Sequence, residues 1–60
     1  MKGEKQMAKI ILKDGRVVHA TFIRQYPAFE GGMRYIFYAN GYGDVRCVKD
    51  ENGNFKEYVA

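Results

Sequence analysis

The stretch AKIILKDGRVVHATFIR, residues 8–24, decides the fold. Two apolar runs flank Asp14-Gly15, and they hold Ile10, Ile11, Val17, Val18, Thr21 and Ile23, side chains that suit a pleated surface. Asp and Gly readily adopt the backbone conformations of a tight reversal, so the stretch reads as a β-hairpin. Two registers compete. A two-residue Asp14-Gly15 turn pairs Leu12 with Val17 and Ile10 with His19. A three-residue Lys13-Asp14-Gly15 loop, with Gly15 left-handed as a bulge, pairs Ile10 with Val18 and Ala8 with Ala20. The second gathers Ile10, Leu12, Val18, Ala20 and Phe22 on one face and Lys9, His19 and Thr21 on the other. It keeps His19 out of the core and avoids facing Lys13 with Arg16, so the bulged register is expected.

Outward from this hairpin, turn signals cut the rest of the chain into short apolar segments. Residues 25–32, with Pro27 and Gly31-Gly32, read as a connection leading to a strand over 33–39. Asn40-Gly41-Tyr42-Gly43 leads to 44–49, and 50–54 leads to 55–59. Five short strands joined by short connections predict an all-β, antiparallel meander. Each segment is too short for a stable helix without tertiary help. Closure removes the edge strands that invite aggregation, so a small SH3-like barrel is expected. An open twisted sheet that dimerises is the alternative. The domain is expected over 8–60, with 1–7 as a flexible tail.

Sixty residues form one domain with a thin core. Such chains lean on disulfides, a metal or a partner. Cys47 is the sole cysteine, which excludes an internal disulfide, and with His19 the sole histidine no four-ligand zinc site can form from these residue types. A lone thiol and the lack of a long apolar run place the expectation in the cytoplasm, away from membranes.

Residues 33–49 present apolar side chains on both faces. A four-residue turn over 40–43 pairs Ile36 with Cys47 and Tyr38 with Val45 on one face, and Tyr35 with Val48 and Phe37 with Arg46 on the other. The pattern alone does not say which face meets solvent. A strand apolar on both sides is either covered or exposed for a partner. Rings and branched carbons look too numerous for one thin interior, so Ile36, Phe37 and Tyr38 are not all expected to be covered by their own chain.

Catalytic equipment is sparse. Serine is absent, and Cys47 and His19 fall on different strands with no third residue to orient the base. A buried free cysteine usually serves as a small apolar side chain. Asp44, Asp50 and Glu51 belong to turns, and 50–52 lack the ligand ladder of a calcium loop. Gly41 and Gly43 are not followed by the Lys-Ser/Thr of a phosphate loop. No enzyme activity, cofactor or metal is expected.

Arginine and tyrosine remain. Arg24, Tyr26, Phe29, Arg34, Tyr38, Tyr42 and Arg46 are the candidate partner-binding residues, since Arg and Tyr concentrate at protein-binding hot spots. Tyr35 and Tyr58 read as core rings with surface hydroxyls. The first reading is therefore a non-catalytic protein-binding module, a small inhibitor or adaptor of the kind phages and mobile elements carry. A homodimer through the same face belongs to that reading. Charge supports another. Residues 1–34 carry +4 and residues 35–60 carry −1. Lys9, Lys13, Arg16, Arg24 and Arg34 with stacking tyrosines would suit single-stranded RNA or DNA, although seven acidic residues temper a nucleic-acid role.

Overall fold

The computed structural model describes residues 7–59. Its framework is set by short turns. The Leu12 amide donates to the Arg16 carbonyl at 2.7 Å and the Gly15 amide to the Leu12 carbonyl at 2.9 Å, closing a three-residue loop. Gly15 sits at φ +93°, in the left-handed region where a β-carbon is disfavoured. Asp14 Oδ1 accepts the Arg16 amide at 3.0 Å and braces the loop. The same pair of backbone bonds closes 28–32, from Ala28 N to Gly32 O and Gly31 N to Ala28 O. It recurs at 50–54, where Asp50 Oδ1 also accepts the Asn52 and Asn54 amides. Asp14 and Asp50 are thus turn residues.

These turns link β1 (Met7–Ile11), β2 (Val17–Pro27), β3 (Met33–Ala39), β4 (Gly43–Lys49) and β5 (Phe55–Glu57). The strands close into a small barrel in sequence order, the all-β architecture of a small SH3-like barrel. Successive strands pair antiparallel, and β1 meets β5 in a short parallel seam, Ile10 with Phe55 and Ile11 with Lys56. With five strands alternating in direction, β1 and β5 run the same way, so closing the meander makes this seam parallel. The first hairpin takes the bulged register, with Ile10 opposite Val18 and Ala8 opposite Ala20. β1 begins at Met7, one residue before the expected domain start, and the remainder of the expected tail lies outside the described residues.

Two expectations need correction. Residues 25–32 are not a long connection. β2 runs on through Gln25, Tyr26 and Pro27, paired with Tyr35, Arg34 and Met33, and only 28–32 turn. A bulge at Ile23, between the Phe22–Phe37 and Arg24–Ile36 pairs, lets β2 bend and continue. Pro27 is tolerated because it ends the strand. The second correction is the β3–β4 register. Ala39 pairs with Gly43, so the turn holds three residues, not four, and Tyr35 faces Cys47, Ile36 faces Arg46, Phe37 faces Val45 and Tyr38 faces Asp44. A one-residue slip sends every side chain to the other face. Tyr35, Phe37, Ala39, Val45 and Cys47 therefore share the inner face, and Ile36, Tyr38, Asp44 and Arg46 the outer.

The core comprises Ile10, Leu12, Ala20, Phe37, Ala39, Val45 and Cys47, flanked by Ala8, Val18, Phe22, Tyr35 and Phe55. Phe37 is its hub. Its ring meets Phe22 edge-on at 5.7 Å and Phe55 at 4.9 Å, and Tyr35 packs on Phe55 at 5.0 Å. Exposure is 1 % for Phe37 and 8 % for Ile36 but 46 % for Tyr38. The chain thus hides two of the three residues in question and leaves Tyr38 half open.

This register makes adjacent positions respond unequally. Phe37→Ala costs about 3–5 kcal/mol, as much as the whole core of so small a domain supplies. It is expected to abolish the cooperative urea transition followed by circular dichroism. Tyr38→Ala, on the outer face, is expected to leave most of that transition intact. Equal damage at both positions would contradict the register.

Candidate functional site

The outer face of β2, β3 and β4 carries a row running across three strands, Arg24–Ile36–Arg46. One step along β3 on either side lie Tyr26 opposite Arg34, and Thr21 and Asp44 either side of Tyr38. Ile36 lies outside the main core cluster, so it forms a separate aliphatic floor between the two arginine strands. At strand spacing the Arg24 and Arg46 backbones stand about 10 Å apart. Among the described residues, neither guanidinium has an ion-pair partner.

Arg34 is held differently. Its Nη2 lies 3.2 Å from Glu30 Oε1, and its guanidinium stacks 4.3 Å from the centre of the Tyr58 ring. Tyr58 reaches this face because its amide donates to the Arg46 carbonyl at 2.7 Å, extending the chain beside β4 after β5 ends. Tyr26, Ala28, Phe29, Glu30, Arg34, Arg46 and Tyr58 border a shallow depression of about 150 Å³ at this end of the face.

Of the candidate partner-binding residues, Arg24, Tyr26, Arg34, Tyr38 and Arg46 come together, and Phe29 stands at the adjoining hairpin tip. Tyr42 does not join them. It belongs to the β3–β4 turn, where its hydroxyl accepts a bond from Arg16 Nη1 at 3.3 Å. That bond, with the nearby Asp14 carboxylate, holds the Arg16 guanidinium further toward its charged form.

The candidate nucleic-acid residues scatter. Lys9 pairs with His19 on the β1–β2 wall, and Lys13 and Arg16 occupy the first turn. Arg24 and Arg34 lie past the bulge, and along β2 the step from Arg16 to Arg24 spans about 25 Å. Sequence reasoning missed three members of the outer face. The four-residue turn places Ile36 with Cys47, the pattern reads Tyr58 as a core ring, and Ile23, at the bulge, stands 46 % exposed without being singled out. The length of the 40–42 turn was the signal for the first.

A second feature opens at one end of the barrel. A cleft of about 700 Å³ is lined by Phe22, Tyr35, Phe37 and Phe55, with Met7, Ala8, Gln25 and Lys49 around them. Lys49 Nζ lies 5.5 Å from the Tyr35 ring centre and 5.3 Å from that of Phe55. Among the described residues no carboxylate lines it.

Cys47 points into the core from β4, whereas His19 points outward from β2, so no Cys–His pair forms. Among the described residues no three His, Cys, Asp or Glu side chains gather as a metal site. Among them, too, no helix is long and apolar enough to cross a membrane. No protein-family model matches the chain, and neither the curated proteins nor the solved structures give a match.

Burial, with the Glu57 carboxylate second, pushes the Cys47 thiol from 9.0 to about 11. The folded state therefore keeps this proton over a range where the unfolded chain loses it. The thiol's share of stability is whole below pH 9 and disappears as pH climbs toward 11. Urea midpoints measured across this interval are expected to fall less in Cys47→Ala than in the wild type. Parallel decline in both would remove the thiol from the explanation.

Proposed function

We propose that this protein is a non-catalytic docking module that binds an acidic surface of a partner protein through the outer face of β2, β3 and β4. The observation that carries this reading is the Arg24–Ile36–Arg46 row, flanked by Tyr26 and Tyr38. Two guanidinium groups free of intrachain ion pairs among the described residues offer forked donors to carboxylates. Rings beside them supply stiff contact area at small entropic cost, the combination enriched at binding hot spots. Barrel closure anchors both arginines on strands, so little ordering is left for the moment of binding. The module acts by occupying a partner's surface, as an inhibitor or adaptor does.

Single-stranded nucleic acid is the competing ligand, because the same rings could stack bases. Its weakness is the dispersal of Lys9, Lys13 and Arg16 away from Arg24 and Arg34, which denies a strand one continuous basic track.

Titration with a mixed single-stranded oligonucleotide at low salt separates the two. Little binding is expected there. A photo-crosslinking amino acid placed at Tyr38 is expected to yield a discrete protein adduct in cells, lost when Arg24→Glu and Arg46→Glu are combined. Tight oligonucleotide binding weakened by Arg24→Ala would transfer the face to nucleic acid. An adduct that survives the double charge reversal would remove the arginines from the site.

A further inference from the structure

Phe29 is the one phenylalanine outside the barrel. Phe22, Phe37 and Phe55 pack against one another, whereas Phe29 stands at the tip of the β2–β3 hairpin with 104 % exposure. The next residue, Glu30, has a side chain 65 % exposed. Its Oε1 meets Arg34, which leaves Oε2 for another partner. The tip therefore presents a ring beside a carboxylate. The cleft at the barrel mouth presents the complement, ring faces of Tyr35 and Phe55 beside the Lys49 ammonium.

We propose that two copies of this chain associate by reciprocal exchange of these tips. Phe29 of each copy enters the other's cleft, and Glu30 of each meets the other's Lys49. The cleft, with Lys49 and its rings, shares no residue with the Arg24–Ile36–Arg46 row, while the tip adjoins the Arg34 end of that face.

Geometry favours exchange over self-filling. Gln25 and Tyr35 lie on the cleft, Pro27 and Met33 form the last strand pair, and the turn begins at Ala28. The tip consequently projects about 10 Å past the rim of its own cleft at strand rise. The 28–32 turn is closed by two backbone bonds and cannot fold back on itself. A second copy related by a two-fold axis brings each tip over the opposite mouth, an arrangement that closes on itself without further growth.

A Phe side chain buries about 150–250 Å². Two such insertions with their flanks place the contact among weak interfaces, under about 1,200 Å². Association is therefore concentration-dependent.

Sedimentation velocity over a wide concentration range tests it, with circular dichroism confirming that each variant folds. The wild type is expected to shift from monomer to dimer as concentration rises. Phe29→Ala, Glu30→Lys and Lys49→Glu are each expected to remain monomeric. An equimolar mixture of Glu30→Lys and Lys49→Glu chains is expected to dimerise again, since both contacts then pair opposite charges. Arg24→Glu, which lies outside the tip and the cleft, is expected to dimerise like the wild type. A wild type that stays monomeric throughout would overturn the exchange, as would a dimer that survives Phe29→Ala or a mixture that behaves like its components. Growth beyond the dimer would overturn the two-fold arrangement.

Discussion

Turn length governs this molecule. Strand side chains alternate with a period of two, so adding or removing one loop residue exchanges the inside and the outside of everything downstream. Three of the hairpins use the same closure, in which a glycine amide donates three residues back and the residue before the loop donates across it. At 39–43 the Tyr42 amide donates to Ala39, and Gly41 and Gly43 take positive φ. That turn also holds three residues. Because all four are odd, each pair of neighbouring strands enters the barrel in a compatible phase. Phe37 can then serve as the hub, with Phe22, Tyr35 and Phe55 on the same side of the wall.

The first hairpin was legible because its two registers differ in cost. One buries His19 and opposes Lys13 to Arg16, whereas the other does neither. The β3–β4 hairpin offers no such asymmetry. Phe37 and Tyr35 on one side are as apolar as Ile36 and Tyr38 on the other, so composition could not choose and loop geometry did. Residues 25–32 misled for a different reason. Pro27 and paired glycines resemble a loop, yet a proline at a strand's last position removes no needed hydrogen bond. The bulge at Ile23, which keeps β2 paired beyond the bend, leaves no mark in the pattern of apolar residues.

The candidate site inherits these outcomes. Arg24, Tyr26, Arg34, Tyr38 and Arg46 were identifiable by residue type, but their convergence depends on two geometric facts, the slipped β3–β4 phase and the bulge. Without the bulge, Arg24 would fall on the inner face with Phe22 and Ala20. Without the three-residue turn, Arg46 would lie opposite Phe37 rather than beside Ile36. Tyr42 lay outside this convergence, since it occupies a turn and is tied to Arg16. The apolar surplus was also overstated. Ile36 is shielded on the outer face even though it lies outside the core cluster.

A thin barrel has one wall, so successive residues of a strand serve different surfaces. On β2, Arg24 contributes to the outer face while Gln25 lines the cleft. On β3, Arg34 and Ile36 look outward while Tyr35 looks inward. The two surfaces thus share backbone but no side chains, and a ligand on one leaves the residues of the other uncovered.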